Sequence, residues 1–383
     1  MYHGHMGVLN TKGLEKLGIT NKTKAIEGGT IGRFNDTNPN GFLAENAFVP
    51  KLENVINLSV EKIVENILLA EKEYLKNGIT TIQDGLTKKK EWDILKYIAE
   101  KKLFTADIVS YIDIKEKNIL NQNSEYVKKY NNNLKIGGYK IILDGSPQGK
   151  TAWISKPYQN EKEYRGYGTY EDLEVEKYIH EANEDNMQIL AHCNGDEASE
   201  QFIRIIEKEK NDSRLRPVMI HAQLVRKDQL LRMKKDNILP SFFVTHIYYW
   251  GDIHVDNLGE REYNISPVKT ACDLGINYTF HQDTPVIYPN LLETVEVAVN
   301  RKTKSGKVLG KEERITVYEA LKAITINSAY QYFEENEKGS IREGKKADFV
   351  VLSNNPLMLN NKEDIKKIEV LETIKNGKTV YKK

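Results

Sequence analysis

"MQILAHCNGDEASEQFIRIIEKEKN", residues 187–211, sets a short apolar run ending at His192 directly before a longer stretch with apolar residues at helical spacing. The first part reads as a buried strand and the second as an amphipathic helix, which together make one βα unit. The pattern recurs along the chain. Strand candidates are "ITTIQD" (79–84), "ADIVSYI" (106–112), "GGYKIILDG" (137–145), "RPVMIHA" (216–222), "LPSFFVTH" (239–246) and "INYTFHQD" (276–283). Helix candidates include 58–78, 172–186 and 226–237, each ending near Asn or Gly, a common C-terminal signal. Seven such strands predict an α/β fold, a (β/α)8 barrel with one strand unaccounted for; a doubly wound open sheet is the alternative.

The tail changes character. "GSIREGKKADFVVLSNN" (339–355) and "VLETIKNGKTVYKK" (370–383) read as strands joined by tight Gly-containing turns. They predict a small β appendage over 336–383 behind a barrel region over 1–335, too short for a core of its own. At the other end, "MYHGHMGVLN" carries His3 and His5 one residue apart. Such a pair binds metal well at a strand end, but only two residues precede His3, so the segment reads as a loop leading into a short helix capped by Asn10 or Thr11.

With 383 residues the chain is long enough to bury a substantial core and a deep active site. Lys and Arg number 56 against 55 Asp and Glu, so no net charge points to nucleic acid or an anionic membrane surface. No stretch approaches the ~20 apolar residues of a membrane span. Cys193 and Cys272 form no paired motif and suit a reducing compartment, and the start lacks a signal-peptide pattern, so a cytoplasmic location is expected.

Ligand-type side chains stand at the C-terminal ends of the candidate strands: Lys140 and Asp144 around "IIL", His192, His221, His246 and Asp283. In a parallel barrel these ends share the face where active sites assemble. Imidazoles and a carboxylate gathered there suit a divalent metal, zinc foremost, which lowers a bound water's pKa to about 7. A single strand-end histidine is commonly a hydrogen-bonded core residue; several in consecutive units argue for a site. Lys140 lies within an apolar strand, where an unpaired ammonium is costly, so it either pairs with an acid or is chemically altered. Tyr248, Tyr249 and Trp250 line the pocket or pack.

Eight segments together resemble the amidohydrolase superfamily, and within it amidohydrolase family 3, the branch with N-substituted formamide deformylases and exoenzyme-regulator-like proteins. They are "GHMGVLNTKGLEKLGI", "GGTIGR" with "PNGFLAENA", "GITTIQDG", "YKIILDGSPQGKTAWIS", "ILAHCNGDEA", "MIHAQLV", "HQDTPV" and the stretch from "TVYEALKAITINSAYQYF" to "KKADFVVLSNNPL". The resemblance implies a metal-dependent barrel with a small β-sandwich. It casts His192 and His221 as metal ligands, Asp283 as the metal-contacting acid, and Lys140 as a lysine that can be carboxylated to bridge two ions. It also places the "GHMGVLNTKGL" loop downstream of the family's His-x-His, so His5 is expected near substrate and not as a metal ligand. The first barrel strand and that His-x-His then have no counterpart in this sequence, which implies an incomplete barrel holding one or two ions.

These readings predict a metal-dependent hydrolase of amide, N-formyl or N-acyl C–N bonds, not peptide bonds. Metal, Lys140, His192, His221 and Asp283 form the centre; Asp283, His221 and His246 are catalytic; His5, Asp144, Tyr248 and Trp250 contact substrate. The alternative is a catalytically impaired homologue that binds a ligand or regulates. The partner is a small molecule, with no nucleic acid or membrane, and an uncovered sheet edge favours a homo-oligomer.

Overall fold

The computed structural model describes residues 6–383 apart from 25, 27, 28, 46, 49–57 and 211. His3 and His5 lie outside the described residues. The chain divides into two compact units, residues 1–67 with 283–288, and residues 68–282 with 289–383.

The first unit carries a three-stranded antiparallel sheet in the order β1-β3-β2, from Met6–Val8 (β1), Gly29–Phe34 (β2) and Asn38–Glu45 (β3). The sequence reads 6–8 as loop; it becomes a strand because Val8 and Gly7 pair with Phe42 and Leu43, a partner some 35 residues away that local pattern cannot reveal. The helix Thr11–Lys16 follows, and Asn10 is its cap, accepting the Gly13 N–H at 2.9 Å. Ile19, Leu43 and Phe48 form the small core.

The second unit is built on seven parallel strands: Thr81–Thr87 (β4), Asp107–Asp113 (β5), Leu134–Ile142 (β6), Gln188–Cys193 (β7), Val218–His221 (β8), Leu239–Phe242 (β9) and Thr279–Phe280 (β10). Each pairs with its neighbour in sequence, in the order β10 to β4. A doubly wound sheet would reverse order at a switch point; a strictly sequential order is that of a TIM-barrel-like sheet. Residues of β7 and β8 are nearly all buried, as expected for strands covered on both faces. Val109, Tyr111, Leu190, Val218, Ile220 and Leu239 pack as one inner cluster. The helix Asp196–Lys208 buries Phe202, Ile203, Ile205 and Ile206, the face that the 3.6-residue spacing predicts.

One strand, β9, is shorter than its sequence suggests for a reason that pattern cannot show. β9 stops at Phe242, and the apolar run through Val244 bends into the helix His246–Leu258. Phe243, Val244 and Ile247 are all fully buried, and a continuous buried run has no period with which to separate strand from helix.

The tail forms an antiparallel sheet of Phe349–Leu352 (β11), Val370–Lys375 (β12) and Lys378–Lys382 (β13). Asn376 and Gly377, with φ of 50° and 76°, make the two-residue turn between β12 and β13 that an Asn-Gly pair favours. This sheet is tied to the parallel one. Lys375 Nζ reaches the Asp107 carboxylate at 2.8 Å, and the Thr373 hydroxyl donates to the Leu75 carbonyl at 2.7 Å. No helix among the described residues is long and apolar enough to cross a membrane.

Candidate metal and active site

Register brings the ligand-type residues to one end of the sheet. Asp113 pairs with Lys140, Ile142 with His192, and Cys193 with His221, so Lys140, His192 and His221 lie at the C-terminal ends of adjacent strands. At the end of β8 the backbone departs from ordinary strand geometry: His221 and Ala222 have φ of 76° and 48°. Left-handed conformations of non-glycine residues cost about 1–3 kcal/mol each and persist where the surroundings over-determine them. Here Ala222 N–H is held by the Cys193 carbonyl at 3.0 Å.

The imidazoles form a row. Ser241 Oγ lies 3.0 Å from His281 Nδ1, His281 Nε2 lies 3.1 Å from His221 Nδ1, and His221 Nε2 lies 3.0 Å from His192 Nδ1. His192 Nε2 then faces the Gly145 carbonyl at 3.2 Å. A neutral imidazole has one N–H, so every bond in this row is made only if all three rings share the same tautomer. With Nε2–H on each, donation runs from Ser241 to the Gly145 carbonyl. Burial, reinforced by the neighbouring imidazoles and Lys140, holds His221 well below its ordinary pKa; burial, then Lys140, pushes His281 down to about 3. His221 and His281 are therefore neutral at physiological pH, each with one ring nitrogen that carries no proton.

Asp144 braces the loop beyond β7. It accepts the backbone N–H of Asn194 at 2.9 Å, of Gly195 at 2.7 Å and of Trp153 at 3.1 Å, and its Oδ1 lies 3.6 Å from His192 Nε2. Burial pushes its carboxyl up to about 7 against those three donors. Lys140 is buried at the same end and bears electrostatically on both His221 and His281.

Lys140, Asp144, His192 and His221 thus gather as the sequence places them. His246 opens its helix instead of closing a strand; its ring packs 4.6 Å from Phe243, whose ring is 6.0 Å from His221. Trp250 and His254 share its helical face, the Trp250 ring 4.6 Å away and His254 Nε2 3.2 Å from His246 Nδ1. Tyr248 points elsewhere, toward Tyr249 and the Lys366 ammonium. Asp283, at φ 52°, falls in the first unit. His281, Ser241 and His254 were not singled out from sequence. The signal for His281 was present, since it stands directly after a strand within "HQDTPV", but Asp283 drew the reading.

Among the described residues no set of three or more His, Cys, Asp or Glu side chains is arranged to hold a metal ion. His281 lies on the far side of the His221 ring from His192, so the three imidazoles line up instead of converging. His192 Nδ1 and His221 Nε2 are another matter: they stand 3.0 Å apart, and both present lone pairs once His221 carries its proton on Nδ1, donating to His281 Nε2, and His281 carries its own on Nδ1, donating to Ser241 Oγ. Two ligands of one tetrahedral zinc stand roughly 3.4 Å apart, given bonds of about 2.0–2.1 Å. This pair fits a divalent ion with a few tenths of an ångström of adjustment.

A sequential parallel sheet with imidazoles, a lysine and a carboxylate at its strand ends has TIM-barrel-like architecture. The amidohydrolase family model matches residues 1–381, and the chain belongs to the amidohydrolase family. It is similar to the YtcJ amidohydrolase of Bacillus subtilis (strain 168), 27% identical over 388 residues covering 99% of this chain and 73% of that one. The N-substituted formamide deformylase of Arthrobacter pascens is 24% identical over 393 residues, covering 99% and 72%. Among solved structures, a metal-dependent hydrolase from Pyrococcus horikoshii superposes with a TM-score of 0.78 at 25% identity, over 93% of this chain and 71% of that one.

Proposed function

We propose that this chain hydrolyses carbon–nitrogen bonds other than peptide bonds, in small N-formyl or N-acyl compounds, using a divalent metal, zinc foremost, held by His192 and His221. The observation that carries this reading is the pair of imidazole nitrogens 3.0 Å apart at the ends of adjacent strands. The deformylase named among its relatives and the metal-dependent hydrolase among its structural neighbours support the bond class and the metal.

A bound ion would polarise the substrate carbonyl and acidify water. The protein's own part includes keeping His221 unprotonated, which burial and the neighbouring imidazoles and Lys140 achieve by holding its pKa well below the ordinary value. Carboxylation of Lys140 would turn a buried ammonium into an anionic oxygen ligand. Asp283 would take a proton from water and pass it to the leaving nitrogen, and His246 would donate to the developing oxyanion. Asp144 acts by position: by fixing Asn194 and Gly195 it holds the loop against which His192 rests. Trp250 limits the acyl group. Both cysteines are free thiols, in keeping with work in a reducing, cytoplasmic compartment, and the outer strands β4 and β10, which have no further strand partner among the described residues, favour a homo-oligomer.

Metal analysis by mass spectrometry, combined with a panel of N-formyl and N-acyl amines and dipeptide controls, tests the reading. Stoichiometric zinc that H192A and H221A each lose, with turnover confined to the non-peptide substrates, is the expected result. A metal-free protein that turns over the panel as the parent does, or turnover of dipeptides alone, would end it.

A further inference from the structure

The opposite end of the same strands holds a cavity of about 710 Å³ that the hydrolytic reading does not use. Its walls come from the N-terminal ends of β6 and β7, at Lys135, Gly137 and Gln188, whereas the imidazoles stand at the C-terminal ends. Lys135 and Lys140 are five residues apart on β6, about 17 Å at strand rise. The volume lies within the range of small-molecule sites.

The cavity is lined by rings. Tyr111 lies against the β6 backbone where Gly137 has no side chain; a Cβ there would come within 2.9 Å of its Cζ. The Tyr130 ring has the ammoniums of Lys135 and Lys338 each 4.7 Å from its centroid. Tyr332 and Phe333 complete the aromatic lining.

Charge around these rings closes in the interior and stays open at the mouth. Glu334 pairs with Lys135 and, at 2.6 Å, with Lys338; Asp107 pairs with Lys338 and Lys375; Asp348 pairs with Lys375. Three buried or nearly buried ammoniums thus face three carboxylates. Lys346 is matched by Glu337 at 3.3 Å, and Arg214 by Asp212. Lys128 and Lys129, also in the lining, have no carboxylate partner among the described residues. The mouth therefore carries two unneutralised ammoniums over an aromatic interior.

Phe333 adds an independent observation. It follows the helix Ile326–Gln331 in a Schellman turn, with Phe333 N–H bonded to the Tyr330 carbonyl and Glu334 N–H to that of Ala329 at 2.8 Å. The position takes φ of 62°, where glycine is customary, and no other Phe, Tyr or Trp among the described residues has a positive φ. Tyr332 and Glu334 on either side are held in the interior, so the turn presents the Phe333 ring outward, 47% exposed, at the cavity. The Arg216 guanidinium lies 4.6 Å from the ring centroid, and the rest of the ring is left to the cavity, a use for a ring kept where glycine would be less strained.

We propose that this cavity is a second small-molecule site, taking a ligand with one flat ring and one anionic group, carboxylate or phosphate. The ring lies among Tyr111, Tyr130, Tyr332 and Phe333, and the anion meets Lys128 and Lys129. Isothermal titration calorimetry of the full chain with indole-3-carboxylate and with adenosine 5′-monophosphate tests it, with adenosine and inorganic phosphate as half-probes. At least one of the two ring anions should bind with 1:1 stoichiometry and more tightly than either half-probe. The double variant K128E/K129E should weaken that binding about tenfold. F333G should also weaken it while raising the melting temperature, a combination that a merely damaged fold does not produce. H192A should leave the affinity unchanged, which separates this site from the hydrolytic one. The proposal is overturned if neither ring anion binds saturably at millimolar concentration, if K128E/K129E binds as the parent does, if F333G lowers the melting temperature, or if H192A abolishes binding.

Discussion

Replacing Asp107 with asparagine removes one carboxylate from a buried network and leaves its shape nearly intact. In the parent, Asp107 is 4% exposed and reaches Lys338 at 2.6 Å and Lys375 at 2.8 Å, both ammoniums themselves buried. Glu334 and Asp348 remain in the variant, so two carboxylates face Lys135, Lys338 and Lys375, and one positive charge is uncompensated. Breaking a buried pair by removing one partner costs about 3–5 kcal/mol. At roughly 2 °C per kcal/mol for a unit of this size, D107N should melt about 6–10 °C below the parent at pH 7 when followed by circular dichroism. The double variant D107N/K375M restores the charge match and should recover part of that loss. The pH dependence has a definite sign. Burial raises the Asp107 pKa, but the two ammoniums outweigh burial and hold it below the usual 3.8. Its stabilisation is therefore present above about pH 3.8 and lost as the pH falls through the lower folded value, so D107N and parent should converge in strong acid. D107N within about 2 °C of the parent at pH 7, or a double variant no more stable than the single, would refute this account of how the C-terminal sheet is held.

Glu71 gives the opposite sign: it is buried, its Oε1 accepts both the Thr105 and Ala106 N–H groups, and burial raises its pKa above 4.5. Glutamine keeps that oxygen without the charge, so E71Q should melt above the parent at pH 8 and match it below pH 4.5; equal melting at pH 8 would count against the assignment. At Gly195 an added Cβ would lie 1.8 Å from the Trp153 carbonyl oxygen, so G195A must displace backbone and disturb the N–H held by Asp144. We expect about 2–3 kcal/mol of lost stability in denaturant titration. Burial pushes the Cys193 thiol well above its ordinary range, while Cys272 is only half-buried. Mass spectrometry after brief alkylation of the native protein should therefore find label on Cys272 ahead of Cys193.

What the sequence discloses about this fold is what local pattern encodes. Period and length separate β7 from the helix Asp196–Lys208, the Asn-Gly pair fixes the β12–β13 turn, and Asn10 announces its helix. Strand-end position likewise gathers Lys140, His192 and His221, because in a sequential parallel sheet the C-terminal ends share one face. Features that depend on a distant partner are silent. Met6–Val8 becomes a strand only beside β3, and the apolar run ending in Val244 turns helical without a change of composition. Nothing near Lys375 signals that its partner is Asp107. His281 shows a different limit: its strand-end place is visible, but its bonding to His221 rather than to a shared centre is a matter of ring orientation, which spacing does not carry.

The pairing of Asp107 with Lys375 also sets an order in time. The two residues are 268 positions apart, so during synthesis at about 5–20 residues per second β5 is made roughly 13–54 s before this lysine, the later of the two bases that pair with its acid. Through that interval Asp107 keeps its charge in water, and burying it early would leave a carboxylate without its bases. Local βα units are free to form as they emerge, but the closing of β5 against β12 waits until Lys375 has been made and released. A nascent chain stalled before β12 would expose the N-terminal end of β5 to whatever chaperone is at hand, and the arrival of β12 would be the event that commits this edge of the sheet to its final packing.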